Sequence, residues 1–86
     1  MSSFEKILFK ILQGNSDTNI RFSELCQCLR RFGFNVRVKG SHHIFHKENV
    51  IEILNLQPSG NKAKPYQVKQ VRNVITKYKL TGELND

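Results

Sequence analysis

Residues 34–56 read Phe34-Asn35-Val36-Arg37-Val38-Lys39-Gly40-Ser41-His42-His43-Ile44-Phe45-His46-Lys47-Glu48-Asn49-Val50-Ile51-Glu52-Ile53-Leu54-Asn55-Leu56. Phe34, Val36 and Val38 alternate with Asn35, Arg37 and Lys39, the period-two pattern of a strand. Gly40-Ser41 follows. Glycine at the first position of a two-residue loop suits a type II′ turn, so the chain should reverse there and return through His42 to His46. Lys47-Glu48-Asn49 supplies a second turn. Val50 to Leu56 is rich in β-branched residues and reads as a third strand. The stretch therefore predicts a three-stranded antiparallel meander.

Helical spacing appears on both sides of it. Phe22, Leu25, Leu29 and Phe32 line one face of a helix from Ser23 to Phe32, with Ser23 as N-cap and Gly33 as the stop. Phe4, Ile7, Leu8, Ile11 and Leu12 place an earlier helix over Ser3 to Gln13, capped by Ser2 or Ser3 and ended by Gly14. Gly14 to Asn19 is a polar loop. Beyond the strands, Gln57 to Lys64 reads as a loop, and Pro65 suits the first turn of a last helix. Val68, Val71, Ile75 and Tyr78 form its apolar stripe. Thr81 to Asp86 reads as a frayed tail. The order is α-α-β-β-β-α. An α+β fold is expected, with helices on one face of the antiparallel sheet and the other face open. Leu25, Leu29, Phe32, Phe45, Val71 and Ile75 are the expected core.

A chain of 86 residues is one domain, 1–86. A domain this small buries only about 60% of the surface its unfolded chain exposes, so any site should be shallow. With 38% hydrophobic residues and a mean hydropathy of −0.46, the composition suits a soluble globule. No apolar run approaches the roughly 20 residues of a membrane span. Glu5, Lys6 and Lys10 interrupt the apolar start, and no cleavage site of small residues follows, which argues against a signal peptide. A cytoplasmic location is expected. Cys26 and Cys28, two apart on a helix, point to different faces and read as buried reduced thiols. Fourteen Lys and Arg against seven Asp and Glu give a net charge of +7 and a pI near 9.8. The default partner of so basic a domain is a polyanion. Membrane lipid fits less well, because the apolar stripes are needed for the core. The plainer reading of the charge is solubility alone.

All three histidines lie in the meander. In a strand His42, Ile44 and His46 face one way, and His43 and Phe45 the other. Phe45 belongs to the core, so His42 should stand on the open face beside the turn, with Arg37, Lys39 and Lys47 near in sequence. Three readings compete: a surface histidine pair without a role, a metal site, and acid-base chemistry by a single imidazole. His42 and His46 would stand about 13 Å apart, too far to share one ion. Adjacent His42 and His43 point to opposite faces, and no Cys-rich or acidic set completes a metal shell. A second basic region contains Lys62, Lys64, Lys69, Arg72, Lys77 and Lys79. Lys69 and Arg72 can share a face away from the apolar stripe, and a basic loop entering a helix N-terminus can clamp phosphate. The plainer reading is a solvated polar face. No P-loop and no Ser/His/Asp set can be argued. A meander followed by a basic helix also suits double-stranded RNA, read by shape, phosphates and 2′-hydroxyls.

Taken together, Arg31-Phe32-Gly33-Phe34, then Lys39-Gly40-Ser41-His42-His43 with Phe45, then Val71-Arg72-Asn73-Val74-Ile75 in the final helix, resemble the HicA family of toxin-antitoxin ribonucleases. The resemblance covers about Arg21 to Lys79. It implies a fold like a double-stranded RNA-binding domain over a core of 20–80, with residues 1–19 an extra helix and loop. It implies a type II toxin that cleaves mRNA without metal or other cofactor, and a HicB-type antitoxin that covers the active surface. The family's catalytic histidine, the one after Gly-Ser, corresponds to His42. Lys39, Ser41, Lys62, Lys64, Lys69 and Arg72 are the expected RNA contacts. Many members carry another histidine near the end of the third strand, where this chain has Gln57. The extra helix leaves three uses open: packing on the domain, homodimer formation or contact with the antitoxin. Two other functions compete with the nuclease. One is a non-catalytic double-stranded-RNA-binding module, and the other is a basic surface that meets an acidic protein.

Overall fold

The computed structural model describes residues 2–85. Among them the elements run α1 (Ser3–Gln13), α2 (Phe22–Arg31), β1 (Asn35–Lys39), β2 (His42–Lys47), β3 (Val50–Leu56) and α3 (Pro65–Lys77). The strands form one antiparallel sheet in the order β1-β2-β3. This is the expected α+β fold and element order.

Local chemistry sets most of the boundaries. Ser2 caps α1, its Oγ accepting from Glu5 N–H while the Glu5 carboxylate accepts from Ser2 N–H. Gly14 ends the helix in the left-handed region, at φ 75°. In α2 the N-cap is Arg21, not Ser23. Glu24 decides this, because its carboxylate accepts from Arg21 N–H at 2.9 Å. The cap therefore lies three residues before a glutamate, and Ser23 lies inside the first turn. Pro65 opens α3 as expected. The polar loop after α1 contains a short 3₁₀ turn, Asp17–Asn19. The expected frayed tail is instead a 3₁₀ helix over Leu80–Asn85, and it begins with Leu80 buried in the core. Asp86 lies outside the described residues.

The β1–β2 hairpin pairs Lys39 with His42, which leaves Gly40-Ser41 as a two-residue turn. Gly40 has φ 63° and Ser41 is not among the positive-φ residues, as a type II′ turn requires. Lys47 pairs with Val50, and Asn49 takes φ 70° in the turn between them. A register shift between Phe45 and Lys47 interrupts the β2–β3 ladder.

Leu25, Leu29, Phe32, Phe45, Val71 and Ile75 are all buried. Leu54, Leu56 and Val68 join them with no exposed surface. Fully burying each such side chain stabilises by roughly 1.5–3 kcal/mol. The helices cover the Phe45/Leu54/Leu56 side of the sheet, and β1 overhangs at the edge. Val36 and Val38, which share the inward side with Phe34, are therefore 37% and 58% exposed. α1 packs on α2 and α3, with Phe4 edge-on to Phe32 at 5.7 Å. Phe9 stays exposed on its outer side. Cys28 is fully buried and Cys26 half-buried, both unpaired. Burial pushes their thiols up, to about 12 and about 11, so neither is a nucleophile at neutral pH. At the other end of the sheet, Tyr78 O–H donates to Glu52 Oε1 at 2.6 Å, and Lys77 Nζ donates to Oε2 at 2.9 Å. These bonds hold the end of α3 to β3 and lower the Glu52 carboxyl to about 2.

Candidate active site

β2 starts at His42, directly after the turn, and the period of two separates the histidines from there. His42 and His46 are exposed. His43 is half-buried on the helix side, its ring edge-on to Phe22 at 4.9 Å. Its Nδ1 lies 3.2 Å from the Ser41 carbonyl. No second imidazole therefore stands next to His42 among the described residues.

His42 Nδ1 lies 3.0 Å from Asn55 Oδ1. An amide oxygen only accepts, so with Oδ1 at this distance Nδ1–H donates, and in the neutral ring of that tautomer the Nε2 lone pair points away from Asn55. Asn55 pairs with Ile44 across the β2–β3 ladder, one position along from His42 on the same face. The β-branched pattern of Val50 to Leu56 predicts a strand but does not single out this partner. A signal was present. Asparagine is depleted in strands, and the period of two puts Asn55 opposite to Leu54 and Leu56.

Ser41 is held from the other side. Gln57 Nε2 donates to Ser41 Oγ at 2.8 Å, which leaves the hydroxyl proton to donate elsewhere. Gln57 N–H donates to Gln67 Oε1 at 3.3 Å, and Gln67 Nε2 reaches Tyr66 OH at 3.3 Å. Gln67 is only 2% exposed and anchors this chain at the head of α3. The position where the resemblance expects a histidine thus carries an amide that orients the Gly-Ser turn. A buried glutamine between Tyr66 and Val68 gives no periodic signal, so its role is not legible in the sequence.

The cations divide into groups. Lys39 pairs with His42 and Arg37 with Ile44, both exposed on the open face. Lys64 is the N-cap residue of α3, and Lys69 is exposed on that helix. Lys62 turns toward the loop before α2, where its Nζ donates to Asn19 Oδ1 at 2.7 Å. Arg72 differs most from expectation. Its guanidinium grips both Asp17 oxygens, at 2.9 and 3.1 Å, and also donates to the Ile11 carbonyl at 3.0 Å. The long side chain reaches back to the end of α1 and acts as a clamp. The structure brings Lys39, Ser41 and His42 together, joined by Asn55 and Gln57. Lys62 and Arg72 have protein partners elsewhere.

Among the described residues, no three or more His, Cys, Asp or Glu side chains are grouped to hold a metal ion. No described helix is long and apolar enough to cross a membrane. A groove of about 730 Å³ opens between α2 and β1. It is floored by Val36, Val38 and Phe45 on the helix side of the sheet, away from His42.

The features assembled here define a small basic α+β domain with an exposed, oriented imidazole at a Gly-Ser turn. The family model for the HicA toxin of bacterial toxin-antitoxin systems matches residues 22–79, more than half of the chain, and the protein belongs to that family. It is therefore a toxin of the HicA kind, and membership implies an antitoxin partner. No curated protein and no solved structure matches the chain.

Proposed function

We propose that this toxin is a metal-independent endoribonuclease that cleaves mRNA in the cytoplasm, with His42 as its general base, as part of a type II pair with a HicB-type antitoxin. One observation carries the reading: His42 is exposed beside Lys39, with Nδ1 held by Asn55 and Nε2 open. In the proposed reaction Nε2 takes the proton of a ribose 2′-OH as that oxygen attacks the adjacent phosphorus. The bond from 2′-O to phosphorus forms and the bond to 5′-O breaks, leaving a 2′,3′-cyclic phosphate and a 5′-OH. The leaving 5′-oxygen takes its proton from water or from the His42 imidazolium. The Ser41 hydroxyl and Lys39 offset the charge that develops on the phosphate oxygens. Lys64 and Lys69 hold neighbouring phosphates along α3, and the antitoxin silences the toxin by covering this face.

A second reading, an RNA-binding module without chemistry, rests on the lack of a second imidazole beside His42. RNA in which every 2′-OH is replaced by hydrogen separates the two. The nuclease should bind such a strand and leave it whole, while cutting the ribose form. Cleavage of the deoxy strand would remove the 2′-OH mechanism, and cleavage of neither would favour the binding module.

A further inference from the structure

Tyr66 is 65% exposed, yet its hydroxyl is anchored by the buried Gln67 amide. An exposed tyrosine with a fixed orientation presents one ring face to solvent at little entropic cost. The same Gln67 side chain accepts from Gln57 N–H, and the Gln57 side chain holds Ser41, the residue before His42. Tyr66 is thus tied to the candidate catalytic turn through a short side-chain chain. Lys69 lies three residues further along α3, on the same outward face and also exposed. An aromatic face with a cation one turn away matches one nucleotide of a single strand: a base to stack and a phosphate to neutralise.

We propose that Tyr66 and Lys69 form a subsite for an unpaired nucleotide of the RNA strand flanking the phosphate at His42. The proposal rests on the nuclease reading and deepens it, because the ring can stack only on a base that is not sandwiched in a duplex. The substrate is then single-stranded beside the cleaved bond, although the order of elements matches a domain that binds double strands.

The test uses the full chain and an octamer of 2′-O-methyladenylate, which cannot undergo 2′-OH attack. The chain has no tryptophan and two tyrosines. Tyr78 is half-buried against Glu52, so Tyr66 provides the responsive emission. Binding should quench that emission in the parent and in Lys69→Ala, and the affinity of every variant is read from the anisotropy of an octamer carrying a 5′ fluorescent label. Tyr66→Phe should bind within about threefold of the parent. Tyr66→Leu and Tyr66→Ala should bind about tenfold more weakly, a typical cost for one lost stacked base. This deficit should vanish on an abasic octamer and on a blunt duplex containing the same strand. Lys69→Ala should weaken the normal and abasic octamers by similar factors. If folded Tyr66→Leu and Tyr66→Ala bind the octamer like the parent, or if the parent cuts long RNA but does not bind the octamer, the subsite is wrong and the nuclease reading stands. A chain that neither binds nor cuts RNA would remove both.

Discussion

At the scale of single residues, the decisive feature is the pairing of His42 with Asn55. A general base must present a lone pair to the proton it removes, and the hydrogen bond on the far nitrogen sets which nitrogen does so. Asn55 is a positioning residue in this account. Asn55→Leu should lower RNA cleavage about 10- to 100-fold, the usual cost of one lost hydrogen bond to a group that becomes charged and less than loss of the imidazole itself. Nitrogen NMR of the His42 ring should then show a shift away from the Nδ1–H form. Unchanged cleavage with an unchanged tautomer would break the assignment. His42 itself is legible in the sequence, because the period of two and the inward Phe45 dictate the outward side of His42. Asn55 and Gln57 are not, since a partner across a ladder depends on register, and register is set by both turns together.

At the scale of elements, Arg72 decides how α1 belongs to the domain. α1 lies outside the span matched by the family model, yet Arg72 of α3 ties its last turn and Asp17 to the core. The side chains of Arg72 and Asp17 are 18% and 21% exposed, so the pair is only partly screened. Arg72→Ala would leave Asp17 and the Ile11 carbonyl short of partners. It should cost about 2 kcal/mol of stability, seen as a lower melting temperature, with RNA binding by the folded variant unchanged. Arg72→Lys should not restore stability, because an ammonium cannot reproduce the planar fork. A variant that melts like the parent but loses RNA affinity would return Arg72 to the RNA surface. The sequence showed Arg72 as one of several basic residues on a helix. Spacing along α3 reveals which residues are neighbours on it, but not that one long side chain reaches the end of another helix. The helix ends were more legible. Ser2, Gly14 and Pro65 act through local chemistry, and the miss at Ser23 came from a competing local signal, Arg21 with Glu24.

At the scale of the whole molecule, the expected class, element order and core residues were readable because one small domain must use nearly every apolar stripe for its single core. Leu80 is not legible as core, because one leucine after a helix has no periodicity. Val36 and Val38 are exposed because two helices cannot roof all three strands. What remains is an open face carrying Arg37, Lys39 and His42 on a chain of net charge +7. The central claim is that this face cuts RNA through one histidine. The most direct measurement is cleavage of a long RNA by the purified parent, His42→Ala and His43→Ala, with a thermal melt of each. His42→Ala should melt within about 0.5 kcal/mol of the parent, as for an ordinary surface site. Its cleavage should fall about 10²–10⁴-fold, the usual cost of losing a positioned general base. His43→Ala should lose stability through its contact with Phe22 and still cut. Full cleavage by a folded His42→Ala variant would contradict the account.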